Sequence, residues 1–298
     1  MKRVFLSICL IASGLTILPQ GRLAFLVVTG RSPECPWRNA MGSLEHEAAL
    51  TATKDEILRL SYMVKSDPGG YSLWQTPSGP FWIPRGSEYF LPFNLAEQVR
   101  QIYGTGDQAV RGGDIVLDCG ANVGVYTRYA LEAGAKLVVA IEPAPENLEC
   151  LRRNFRSEVS SGRVIIYPKG VWDRDDVLTL QVDPNNPAAD SFVIRRKGGK
   201  EVAQISLTSI DKMASELQLP RVDYIKMDIE GAEQRAITGA RRVLGRFHPR
   251  LSLSAYHHPS DPSRLPVLVR EAWTGYRMEC GPCAVAGFRI RPDVLYFR

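Results

Sequence analysis

Residues 115–127 read IVLDCGANVGVYT. Ile115, Val116 and Leu117 form an apolar run that ends in an acid, Asp118. Gly120 and Gly124 then bracket a small polar stretch before an aromatic-bearing helix pattern begins. An uninterrupted apolar run of this length, closed by a glycine turn, predicts a strand buried on both faces, as in a parallel sheet covered by helices. The glycine turn raises a question of ligand. Turns of this kind at helix N-termini usually cradle phosphates, yet here an aspartate leads into the turn.

Outward from this stretch, strand and helix patterns alternate. KLVVAIEP (136–143) is a strand, 144–156 a helix, RVIIYPKGV (163–171), VLTLQV (177–182) and QISLTSI (204–210) strands, and VDYIKMDIEG (222–231) a strand. Helix 232–244, strand RLSLSAYHH (250–258) and helix 260–272 follow. Such alternation predicts an α/β fold with a parallel sheet. YRMEC (276–280) and DVLYF (293–297) are separated by a loop too short for a crossover helix, so they are expected to pair antiparallel at a sheet edge. Upstream, residues 45–66 have helical spacing, with Ile57, Leu60 and Met63 or Val64 on one face. Residues 67–93, rich in Gly, Pro and aromatics, read as short strands and turns, with Trp74, Trp82 and Tyr89 able to stack on a sugar ring or to pack against the sheet.

The 298 residues, 45% hydrophobic and 23% charged, fit one large domain with appendages. The net charge of +5 is spread without a basic run, which excludes a nucleic-acid-binding reading. Six irregularly spaced cysteines do not make a disulfide framework, and a reducing compartment is expected. Residues 1–40 are hydrophobic: MKRVFLSICLIASGLTIL, then PQGR, then LAFLVV. Neither apolar run reaches the ~20 residues of a membrane span. A signal peptide or anchor, or an upstream extension ahead of a start at Met41, are the readings left open. The domain organisation is therefore 1–40, a hydrophobic segment; 41–110, a helix and an aromatic-rich cap; and 111–298, the catalytic domain. The expected location is the cytoplasm, with membrane association through residues 4–28 as an option.

A dinucleotide site would want G-x-G-x-x-G, so that backbone N–H groups close on a pyrophosphate. The spacing here is D-x-G-x-x-x-G, from Asp118 to Gly124, and a carboxylate would repel a pyrophosphate while attracting a sulfonium and an ammonium, as in S-adenosylmethionine. Glu142, ending the second strand, can accept both hydroxyls of a ribose, or can cap the proline-set helix that follows it.

These residues carry a family resemblance. VLDCGANVGVYT, AIEPAPENLECLRRNF, GVWD, TSID and VDYIKMDIEGAEQRAITGARRVL resemble the FkbM-type methyltransferases of the class I group, over about residues 100–298. The resemblance implies a Rossmann-like, seven-stranded, mostly parallel sheet and S-adenosylmethionine-dependent methylation, most often at a hydroxyl oxygen of a sugar or natural product. It matches Asp118, Gly120, Asn122, Gly124 and Glu142 to cofactor positions, and more loosely Asp173, beside the competing Asp175 and Asp176, to the adenine.

In VDYIKMDIEG, Ile225 and Met227 face one way and Tyr224 and Lys226 the other, so a buried strand carries charge and Lys226 calls for a carboxylate partner. Asp228 lies at this strand's carboxyl end, beside the expected methyl donor. Gly231 and Glu233 read as structural, the latter favoured by the helix dipole. A base is needed to take the acceptor's proton. His257 and His258 end a strand on the active side, alternation lets only one point inward, and His257 is the choice. Asp228 and His257 are thus the catalytic candidates. Asp228, Glu230 and a histidine could instead hold Mg²⁺, but no metal is assigned. CGPC, Cys280–Cys283, has the form of a redox pair, but no helix follows to acidify a thiol, and it is expected to turn between the last two strands. A nucleotide-binding oxidoreductase, or a catalytically silent binding domain on the same fold, is the alternative function.

Overall fold

The structure, a computed structural model, describes residues 19–182 and 200–298. The chain opens with helices α1 (Pro19–Val28), α2 (Trp37–Met41) and α3 (Ser43–Leu60). A three-stranded antiparallel sheet follows, from β1 (Tyr62–Ser66), β2 (Tyr71–Thr76) and β3 (Gly79–Pro84), and then α4 (Phe90–Val99). The expected helix over 45–66 thus ends at Leu60. Tyr62 and Met63 pair instead with Gln75 and Trp74, and cross-strand pairing that brings aromatic side chains together outweighs a helical spacing on a strand that is exposed throughout.

The main domain is built from β4 (Ile115–Cys119), α5 (Val125–Glu132), β5 (Leu137–Ile141), α6 (Pro145–Asn154), α7 (Arg156–Ser160) and β6 (Val164–Tyr167). A side sheet of β7 (Gly170–Trp172), β8 (Asp176–Val182) and β9 (Lys200–Ser209) follows, with β9 in the middle. Next come α8 (Ile210–Glu216), β10 (Tyr224–Met227), α9 (Glu233–Thr238), α10 (Arg241–Phe247), β11 (Arg250–Ser254), α11 (Asp261–Ala272), β12 (Met278–Cys280), β13 (Cys283–Ala286), β14 (Arg289–Pro292) and β15 (Val294–Phe297).

The seven-stranded sheet has the order β12-β15-β11-β10-β4-β5-β6, parallel from β11 to β6, with β15 antiparallel to both of its neighbours. This is the Rossmann-like α/β architecture. All five residues of β4 are buried, as the opening apolar run requires. Leu117, Cys119, Ile225 and Met227 face one core layer with α8 to α11, while Val116, Val138 and Tyr224 face the other with Tyr126 and Ala130 of α5. Strand order reverses between β4 and β10, where a cleft opens at the carboxyl ends of the strands.

β12 and β15 pair as expected, but CGPC is not the turn between them. A separate hairpin, β13–β14, is inserted after Gly281 and Pro282, and its Cys283 is disulfide-bonded to Cys35. Cys35 and Cys283 are therefore not packed thiols. Cys119, Cys150 and Cys280 are free. The disulfide sits in a small apolar cluster, where Leu23 and Leu26 of α1 are covered by Ile290 and Ala40. Arg22 donates to the Gly287 carbonyl at 2.9 Å and the Ile290 amide to the Arg31 carbonyl at 2.9 Å, so the apolar run LAFLVV packs on the C-terminal hairpin. Among the described residues no helix is long and apolar enough to cross a membrane.

Candidate active site

A cavity of about 840 Å³ occupies the switch point, floored by the ends of β4, β5 and β10 and by the segment after β11, and roofed by α3 and α4. The turn after β4 makes it possible. Gly120 has φ 78, and a Cβ there would lie 1.9 Å from the Asp228 carbonyl oxygen, so only glycine lets this turn press against the end of β10. Asn122, also at positive φ (51), donates its amide to Glu142 Oε2 at 2.9 Å. Glu142 Oε1 accepts from the Ala144 amide at 2.9 Å and from Asn147 Nδ2 at 3.4 Å. The carboxylate thus ties down the approach to α6 without accepting from a backbone amide of that helix, and it also lines the cavity. Burial raises its pKa to about 7 against these hydrogen bonds.

Gly120, Asn122, Glu142, Asp228 and His257 all line the cavity, whereas Asp118, Gly124 and Asp173 do not. Asp118 is fully buried on β4. It stands opposite Lys226 in register, with Nζ 3.5 Å from Oδ1, and accepts from the Thr127 hydroxyl at 2.7 Å. Lys226 also donates to the Gly120 carbonyl at 3.0 Å, and its carboxylate neighbours outweigh burial and hold it protonated. The acid before the turn therefore fixes the pocket floor through Lys226, the partner that a buried lysine called for. Gly124, at φ 93, opens α5, where a Cβ would fall 2.1 Å from the Phe155 ring. Asp173 turns away to Arg235, at 2.7 Å, and Arg174, at 3.3 Å, because β7 has left the main sheet, so Lys169, Gly170 and Val171 form that end of the cavity. Trp74 and Trp82 pack in the cap, and Tyr89 alone of the three candidate stacking residues lines the mouth.

The opposite end of the cavity is acidic and aromatic. Asp228 accepts from Tyr103 Oη at 2.8 Å and Tyr256 Oη at 3.3 Å. Burial pushes its carboxyl up, but Lys226, His257 and the Tyr103 hydrogen bond prevail and hold it below the usual range. His257 points inward with 4% of its side chain exposed, while His258 bonds Ser260 at 2.7 Å outside. Glu233 Oε1 lies 2.8 Å from His257 Nδ1, and Nε2 faces Asp228 Oδ1 at 3.5 Å and Glu230 Oε1 at 3.7 Å. Burial alone would lower the imidazole pKa, but Glu230, Glu233 and Asp228 raise it to about 11. Near neutrality the ring is an imidazolium paired with these carboxylates, and Asp228, Glu233 and His257 also bring ligand atoms within 4.8 Å of one another, a set that could hold a metal ion. Glu230, left-handed at φ 54, is turned into the site rather than away from it. Glu233, Tyr103, Tyr256 and Glu97 were not legible as site residues. Glu233 has the sequence position of a helix-dipole acid and nothing more, and the other three come from the cap or from a strand end. Glu97, on α4, is 8% exposed, and burial and Asp228 raise its pKa well above the ordinary value.

Comparison with known proteins gives a consistent picture. The family model of the methyltransferase FkbM domain matches residues 118–278. The methyltransferase sdnD of Sordaria araneosa is 27% identical over 153 residues, 42% of this chain and 59% of that protein. The 31-O-demethyl-FK506 methyltransferase FkbM of Streptomyces tacrolimicus is 25% identical over 158 residues, 44% of this chain and 60% of that protein. The chain thus spans about three fifths of the length of the curated relatives it matches. The crystal structure of methyltransferase FkbM from Methylobacillus flagellatus KT superposes with a TM-score of 0.49 at 17% identity, covering 85% of this chain and 59% of that one.

Proposed function

The chain belongs to the FkbM methyltransferase family, and on that premise we propose that it transfers a methyl group from S-adenosylmethionine to a hydroxyl oxygen of a small molecule or glycan, a sugar or natural-product acceptor. The observation that carries the cofactor half is Glu142. Its carboxylate is fixed by three N–H donors and lines the cavity with acceptor capacity remaining on Oε2, which suits the hydroxyls of a ribose. Gly120 and Asn122, beside Lys226, would hold the cofactor's amino-acid end, and Val171 would serve the adenine end. The fit is chemical as well as steric. Asp228, Glu230 and Glu142 offer carboxylates with which a sulfonium or an ammonium would pair, in a lining that also carries Lys54, Lys169, Lys226 and the imidazolium of His257.

Bound S-adenosylmethionine supplies an electrophilic methyl group on a positively charged sulfur. The chain's own residues do the rest. Glu233 fixes the His257 ring so that Nε2–H donates to the acceptor oxygen and orients it for in-line attack. Asp228, ionised under the influence of Lys226 and His257, receives the hydroxyl proton as the carbon–oxygen bond forms. The sequence pattern suggests His257 as the base; with a pKa of about 11, the proton-accepting part falls to Asp228 and the orienting part to His257.

Calorimetric titration with S-adenosylmethionine, S-adenosylhomocysteine and NAD tests the reading. The first two should bind and NAD should not, and Glu142→Ala should weaken binding by about tenfold or more, the loss expected for a charge-assisted hydrogen-bond pair. Asp228→Asn should keep cofactor affinity within a few-fold and lose methyl transfer to a hydroxyl acceptor found by screening. Binding of NAD without S-adenosylmethionine would sink the proposal and restore the oxidoreductase alternative.

A further inference from the structure

Three sulfur atoms meet where the two ends of the described chain touch. Cys35, in the loop between α1 and α2, is bonded to Cys283 at the start of β13, and the free thiol of Cys280 lies 3.6 Å from the same Cys283 sulfur. A cystine that serves only as a staple has no use for a third sulfur in van der Waals contact. Here the third sulfur comes from the C-x-x-C pair, whose spacing allows Cys280 and Cys283 to bond each other. Asn39 Nδ2 donates to the Cys280 carbonyl at 3.0 Å and the Gly281 carbonyl at 2.7 Å, which holds the turn against α2 and keeps the three sulfurs together.

We propose that Cys35, Cys283 and Cys280 form a thiol–disulfide exchange site, in which Cys280 displaces Cys35 from Cys283 and releases the N-terminal arm from the hairpin that backs the active site. The step is an isomerisation. The Cys280 sulfur, as thiolate, attacks Cys283 Sγ, the Cys280–Cys283 bond forms and the Cys35–Cys283 bond breaks. Cys35 leaves with the electron pair and takes up the proton that Cys280 gave up. One disulfide and one thiol stand on each side, so no outside oxidant or reductant enters. Burial raises the Cys280 thiol to about 12, which keeps it protonated and the exchange slow while the arm is docked.

The exchange reaches the cavity by two physical routes. On β14, Arg291 pairs across from Ala284, next to Cys283. Its guanidinium donates to the Tyr256 carbonyl and lies 5.5 Å from the centre of the Tyr256 ring, and Tyr256 in turn holds Asp228. On the other side, α3 begins two residues after α2, packs on β13, and carries Thr51 and Lys54 to the cavity wall. Freeing Cys35 loosens the arm that delivers α3 while the hairpin stays closed on itself through Cys280–Cys283.

The full-length protein, incubated near pH 8 in graded mixtures of reduced and oxidised glutathione, trapped with acid and alkylated, and mapped by mass spectrometry, tests the proposal. Two single-disulfide species are expected, Cys35–Cys283 and Cys280–Cys283, and Cys280→Ser should abolish the second while keeping the first. In the isomerised wild-type protein, and in Cys35→Ser, hydrogen exchange should quicken by about tenfold over residues 19–41 and at Tyr256, the response of a locally undocked segment. The wild-type measurement stands even if Cys35→Ser does not fold. Cys35–Cys283 as the only disulfide at every ratio, an isomerised form with unchanged exchange, or uptake of one zinc ion by the three reduced thiols would each overturn it.

Discussion

Glu142 is a carboxylate kept close to its titration point by a conflict between burial and three hydrogen bonds, and that conflict has measurable consequences with opposite signs. Its folded-state pKa, about 7, lies above the ordinary value of 4.5. Between those two values the folded chain holds a proton that the unfolded chain has already released, so this residue makes stability fall as pH rises across the window and adds no further loss above it. The ribose interaction needs the charged form, so cofactor affinity should rise by about tenfold per pH unit up to about 7 and then level. Thermal melts and calorimetry from pH 5 to 8 check both trends, and Glu142→Gln should flatten the affinity trend and this residue's share of the stability trend. Affinity that stays level below pH 7 in the wild-type protein would assign ribose recognition elsewhere. His257 adds a second falling limb to stability, from about pH 6.5 upward, because the unfolded chain releases the imidazole proton there while the folded chain keeps it. Its imidazolium persists throughout this range because three carboxylates surround it.

At the scale of elements, the turn from β4 into α5 shows how much a local pattern can carry. The apolar run, the positive φ at Gly120 and Gly124, and Glu142 at the end of β5 were legible because each follows from backbone geometry over a few residues. Asp118 was legible as important but not in its role, since its partner Lys226 lies on a strand 108 residues away and becomes its neighbour only through sheet register. The same limit hid Glu233 and Tyr256, whose contacts with His257 and Asp228 depend on how the segments after β10 and β11 pack. Gly124 allows a direct test of the turn. A methyl group there would meet Phe155 at 2.1 Å and would also be strained by φ 93, so Gly124→Ala should destabilise the fold by about 2–4 kcal/mol in urea unfolding. Adding Phe155→Leu should recover the steric part of that loss, about 1 kcal/mol, because a smaller side chain vacates the contested space. A double variant no better than the sum of its parts would mean that backbone strain alone sets the requirement for glycine.

At the scale of the whole molecule, the arm of residues 19–41 and the β13–β14 hairpin complete each other although they lie far apart in sequence. Leu23 and Leu26 are 1% and 2% exposed, buried against Ala40, Cys283 and Ile290, so the apolar side of α1 is spent on the protein's own surface. The same residues cannot face a bilayer while they are docked there. Any membrane attachment through residues 4–28 then falls to the exposed Phe25 and Val28 and to the residues before Pro19, which lie outside the described residues, and the Cys35–Cys283 disulfide runs against the reducing compartment expected from the cysteine spacing. The packing argument makes the arm of residues 19–41 a contributor to folding stability. Leu26→Ala should cost about 2–3 kcal/mol in chemical unfolding, the usual loss for a buried leucine in a small cluster, and the effect should appear in a chain that begins at Pro19 as fully as in the full-length protein. Leu26→Asp should cost more, since it buries a carboxylate in an apolar cluster. Phe25 and Val28, exposed on the same helix, supply the control: changing either to Ser should leave stability within about 0.5 kcal/mol. If instead Leu26→Ala leaves unfolding unchanged but Phe25→Ser and Val28→Ser release the full-length protein from sedimenting membranes, the arm serves a lipid surface, and its docking on the hairpin is wrong.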